Sequence, residues 1–81
     1  MKLYLLSQDD NCDYDTYDSC VVCAANEPDA INTMPNGDTP FKPSDQYGSW
    51  AHSIEAIKCE YIGEADPSLE KGVICASFNA G

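Results

Sequence analysis

Four short apolar runs, separated by polar and turn-forming stretches, set the pattern of the chain. Residues 2–8 alternate Leu3 and Leu5 on one side with Tyr4 and Leu6 on the other, which predicts a first strand, apolar on both faces and therefore central. Residues 19–25, Ser-Cys-Val-Val-Cys-Ala-Ala, predict a second. Residues 58–64 predict a third, with Cys59 and Tyr61 on one face and Lys58 and Glu60 on the other. Residues 73–78 predict a fourth, again apolar on both faces and so also central. Between the second and third strands, Asn26 reads as an N-cap, followed by Glu27, Pro28 and Asp29 in a first turn. That helix should run past Ala30, Ile31 and Met34 and stop before Pro35. Ser53 should cap one further turn ahead of Ile57. The order β-β-α-β-β predicts an α+β domain over residues 1–81. It has a mainly antiparallel four-stranded sheet and one short helix packed on one face. Leu3, Leu5, Val21, Cys23, Ile31, Cys59, Tyr61, Val73 and Cys75 form the expected core, with Trp50 plugging its edge.

One interruption is out of proportion. Residues 9–18 carry Asp9, Asp10, Asp13, Asp15 and Asp18 together with Tyr14 and Tyr17. Ten residues exceed the ~2–5 of an ordinary hairpin loop. Five mutually repelling acids also cost stability. A loop kept under those terms reads as a contact surface, with the two Tyr supplying area among the charges. The expected partner-binding residues are thus Asp9, Asp10, Asp13, Tyr14, Asp15, Tyr17 and Asp18. In an extended loop Asp13 and Asp15 would stand ~6.6 Å apart on one side, matching a row of Lys or Arg. Calcium is the obvious rival. An EF-hand loop begun at Asp9 puts Tyr14 where Gly is needed and Cys20 where a bidentate Glu is needed; begun at Asp13, it fails at Asp18 and Ala24. A loose cation contact and a merely solvated loop remain the alternatives.

Charge narrows the partners. Fourteen acids stand against four lysines and no arginine, a net charge of −10 over 81 residues. Direct binding of nucleic acid through its phosphates is therefore excluded as a reading. A basic protein surface, such as that of a nucleic-acid-binding effector, suits the charge. No apolar run approaches the ~18–20 residues of a membrane span, and the opening Met1–Leu6 is too short for a signal-peptide core, so a cytoplasmic protein is expected.

Catalytic chemistry finds little purchase. There is one histidine, His52, and the glycines make no phosphate cradle, so no catalytic residues, cofactor or enzyme activity are expected. The five cysteines are an odd number without a secretory leader, which argues against a disulfide framework. Cys20-Val21-Val22-Cys23 spells C-x-x-C inside a strand, where the two thiols face opposite ways and cannot share a metal. Reduced, buried structural thiols and no metal site are the expectation.

Met1–Gln8, Tyr14–Ser19, the surroundings of Trp50, Glu60–Ala65 and Val73–Gly81 together resemble small acidic uncharacterised proteins of phages and prophages. The likeness spans most of the chain, least over 35–49, and carries no catalytic or ligand motif. It implies an anti-defence protein of the anti-CRISPR kind, an inhibitor that binds and blocks a host protein in the host cytoplasm. A structural or accessory phage protein and a sponge for a nucleotide signal are the alternatives.

Overall fold

The structure, a computed structural model, describes residues 1–12, 15–42 and 48–79. Four strands, β1 (Lys2–Ser7), β2 (Thr16–Ala24), β3 (Lys58–Glu64) and β4 (Gly72–Asn79), form one antiparallel sheet in the order β3-β1-β2-β4. A single helical turn, α1 (Glu27–Ile31), packs against one face of it, with Ala30 fully buried. This is the α+β arrangement that the pattern implies.

The β1–β2 hairpin lies at the centre, with Leu3 opposite Cys23 and Leu6 opposite Cys20. β1 is central, as its two apolar faces suggest. β4 is not: it pairs with β2 alone and forms an edge. The apolar content that suggested a central strand is instead left in solvent, with Ile74 and Phe78 each close to half exposed. β2 also starts earlier than the composition indicates. Thr16, Tyr17 and Asp18 are strand residues, because Tyr17 pairs with Phe78 and Thr16 with Asn79.

The core lies on the face opposite to the expected one. Tyr4, Leu6, Cys20, Val22 and Ala24 point under α1 and meet Ala30, Trp50, Ala51 and Ile57. Leu3, Leu5 and Val21 face the other way and are only half-buried, while Tyr61 and Cys75 are exposed. Ile31, Cys59 and Val73 pack at the margin of the core, and Cys23 is buried outside it. Alternation cannot choose between two apolar faces. The choice is made by Trp50, which is fully buried and is the core's largest side chain rather than a plug at its edge.

Local signals explain the helical pieces. The Asn26 side chain accepts from the Asp29 N–H at 2.9 Å, and Pro28 fits the first turn because its missing N–H has no helical partner there. The helix ends at Ile31, one turn short of Met34; the Thr33 hydroxyl donates back to the Asp29 carbonyl at 3.0 Å. Ile54–Ala56 is a 3₁₀ turn that Ser53 precedes without capping it through its side chain. On β3, Ile62 is an extra residue beside β1, and Gly63 next to it sits at φ 154°, a backbone state that a side chain rarely allows.

Candidate functional site

The acidic stretch lies at the end of the sheet where β1 runs out and β2 begins. It is built by two amides that carry no charge. Gln8 follows β1 and is buried; its Oε1 accepts from the N–H groups of Asp10 at 3.0 Å and Asn11 at 2.9 Å. Its Nε2 donates to the carbonyls of Asn11 at 3.0 Å and Tyr17 at 2.8 Å. Only one orientation of the amide satisfies all four groups. Asn11, also buried, donates from Nδ2 to the carbonyls of Gly48 at 2.9 Å and Trp50 at 2.7 Å. The Tyr17 N–H adds a bond of 2.7 Å to the Ser49 carbonyl. The turn is therefore bolted to β2 and to the segment that carries Trp50 into the core.

On this frame the carboxylates are set out at the surface. Asp9, Asp10, Asp15 and Asp18 are all exposed. Asp9 stands 3.8 Å from the Lys58 ammonium, a solvent-facing pair worth under ~1 kcal/mol. An Asp10 carboxylate oxygen accepts from the His52 N–H at 3.3 Å. Asp15 has φ 61°, in the left-handed region that Asp tolerates better than most residues, so the backbone there is turned and not extended. Asp18 is the residue by which β2 bulges against β4, and its carbonyl accepts from the Gln8 N–H at 3.2 Å. Asp13 and Tyr14 lie outside the described residues.

Tyr17 has a packing part in the fold. Its ring is half-buried, packs against the core and meets Phe78 with centroids 4.8 Å apart. It helps to hold β4 to β2. Gln8 and Asn11 are the residues that the sequence reading missed. Their signal was present: in an acid-rich run, the uncharged amides are the side chains that can donate to backbone carbonyls.

The thiols divide by position. Cys20 is buried in the core and its pKa is pushed up to about 12, chiefly by burial and then by Cys75. Cys23 is buried on the opposite face of β2. Cys59 is half-buried and raised, first by burial and then by the Glu27 charge. Cys12 and Cys75 are exposed, so the expectation that all five are buried fails for these two. Among the described residues no three His, Cys, Asp or Glu side chains gather in a metal-holding group. A groove of about 470 Å³ beside α1 is lined by Glu27, Pro28, Ile31, Asn32 and Ile54, an apolar floor with one carboxylate and no nucleophile. No helix among the described residues is long and apolar enough to cross a membrane.

No family model, curated protein or solved structure matches the chain.

Proposed function

We propose that this chain is a binding protein of the phage inhibitor type, which blocks a host defence protein by setting the acidic end of its sheet against a basic surface. The observation that carries this reading is the pinning of the acid-bearing turn by Gln8 and Asn11. Solubility needs acids anywhere on the surface. It does not need them on a turn whose backbone is fixed by six bonds from two buried amides. A fixed array of charges meets a partner with little ordering cost, which favours recognition.

Wholesale imitation of a nucleic acid fits less well. The molecule is 37 Å along its longest axis, a length over which duplex DNA carries about 22 charges. A net charge of −10 spread over the whole chain is under half of that. Local steering by the four described carboxylates, with shape excluding the partner's own ligand, is the better account.

The test is capture from a bacterial host extract with the tagged chain, followed by binding measurements on two charge-matched variants. One changes Asp9, Asp15 and Asp18 to Asn; the other changes Glu27, Glu64 and Glu70 to Gln, all exposed and at the other end of the sheet, where Glu64 pairs with Lys2, Gly72 pairs with Cys23 and Glu27 follows β2. The first set should slow association and flatten the salt dependence, and the second should do neither. Equal losses would assign the effect to net charge. A captured partner that binds both variants as well as the parent would refute the acidic end as the contact.

A further inference from the structure

The groove beside α1 has no part in the acidic contact. Pro28 and Ile31 form its helical wall and Ile54, on the 3₁₀ turn, faces them; Glu27 opens the helix on one side and Asn32 closes it on the other. Its volume of about 470 Å³ lies within the ~300–1,000 Å³ of clefts that hold small molecules. A mostly aliphatic lining with few polar groups is also usual for such clefts. Ile54 is 38% exposed in the free protein, so an apolar group laid against it takes area out of water.

Charge selects the occupant. Among the described residues, lysine ammoniums pair with Asp9 and, at 3.7 Å, with Asp29, the other acid of α1. Glu27 belongs to neither pair. Its charge is felt on the sheet beneath the helix, where the Cys59 thiol is raised first by burial and then by Glu27. An anion, phosphate included, would meet that carboxylate in a chain with no arginine to offset it. A neutral apolar molecule would cover the same wall and leave Glu27 unanswered.

We propose that this groove binds a small aliphatic ammonium ion, with its alkyl part along Pro28, Ile31 and Ile54 and its cationic head at the Glu27 carboxylate. A lysine side chain of a protein partner has the same chemistry but the wrong size. At the ~30 Å³ that a water-sized group occupies, its four methylenes would fill about a quarter of the groove. A free ammonium ion with a longer chain fits the space. The site is also distinct from the acidic turn, so its occupancy is independent of a partner bound there.

Hexylammonium, hexanol and hexanoate share one chain and differ in their heads, and they test the assignment in amide NMR titrations of the full chain. Hexylammonium should shift the Glu27, Ile31, Asn32 and Ile54 amides with roughly millimolar affinity, the scale of a ligand this small. It should bind about two- to fivefold more tightly than hexanol, the range of an exposed ammonium–carboxylate pair, with hexanoate weakest. From ethyl- to hexylammonium, affinity should rise by up to about fourfold per methylene. Glu27→Gln should bring hexylammonium down to the level of hexanol and leave hexanol unchanged, while Ile54→Ser should weaken both. Both positions are exposed, and Trp50 fluorescence checks that the variants stay folded. Glu70→Gln removes the same charge from another exposed position and should change nothing. Equal affinity for the three heads, an equal effect of Glu70→Gln, or shifts confined to the acidic turn would overturn the proposal. So would an affinity that stops rising at butylammonium, which would give the groove to a lysine side chain.

Discussion

Replacing Asn11 with Ala isolates what holds the acidic turn in place. The substitution removes the Nδ2 donor to the Gly48 and Trp50 carbonyls, at 2.9 and 2.7 Å, and leaves both without that partner next to the core. A buried acceptor stripped of its donor costs roughly 1–3 kcal/mol, so two cost about 3 kcal/mol after some relaxation. A chain of 81 residues has a total stability of about 4–12 kcal/mol at ~0.05–0.15 kcal/mol per residue. The loss is then a quarter or more of the whole. At ~4–8 °C per kcal/mol for a domain of this size, Tm should fall by about 12–24 °C. Urea unfolding followed by the fluorescence of Trp50, the sole tryptophan and fully buried, gives the free energy directly. Asp9→Asn is the control: it breaks the exposed pair with Lys58 and should cost under ~0.5 kcal/mol. If Asn11→Ala came within ~0.5 kcal/mol of the parent, the turn would not depend on that amide. The argument that the acids are held in a fixed array would then lose its ground.

Three further outcomes follow. Leu6→Ala, at a fully buried position, should cost about 2–5 kcal/mol, and Leu5→Ala, on the half-buried face, clearly less; equal costs in urea unfolding would mean that both faces of β1 bear the core. Under native conditions a thiol reagent read by mass spectrometry should modify Cys12 and Cys75 first and spare Cys20 and Cys23. The raised Cys20 pKa has a stability counterpart. The unfolded thiol loses its proton near pH 9 and the folded one only near 12, so the folded state holds the extra proton between them. Stability should therefore be unaffected below pH 9 and fall from there toward pH 12. Cys20→Ala should remove that part of the alkaline loss, and an unchanged slope would refute the assignment.

The class of fold was legible in the sequence because its signals are local. Asn26 caps the helix it was expected to cap, and the four apolar runs are the four strands. What alternation could not convey was which face of β1 and β2 is inside. Leu3 and Leu5 look as apolar as Tyr4 and Leu6, and the decision falls to Trp50, more than forty residues away. Strand order failed for a related reason. A strand apolar on both faces reads as central, yet β4 carries its apolar groups at an exposed edge. At the acidic end, the carboxylates were conspicuous and the amides that place them were not. The bonds of Asn11 reach to residues 48 and 50, a tertiary fact that no local pattern encodes. The left-handed turn at Asp15 and the packing of Tyr17 on Phe78 were beyond a local pattern for the same reason.

Both edges of the sheet are interrupted in the same way. On β3 the extra residue is Ile62, with Lys58, Glu60 and Glu64 on the same strand; on β4 it is Ile74, between Val73 opposite Val22 and Cys75 opposite Val21. A fibre needs an edge whose N–H and C=O groups run on in register, so that each added strand offers the next the same template. A bulge twists that row away from a straight partner. A chain that leaves Ile74 and Phe78 each close to half exposed is thus kept from stacking edge to edge by the course of its backbone as well as by its charge.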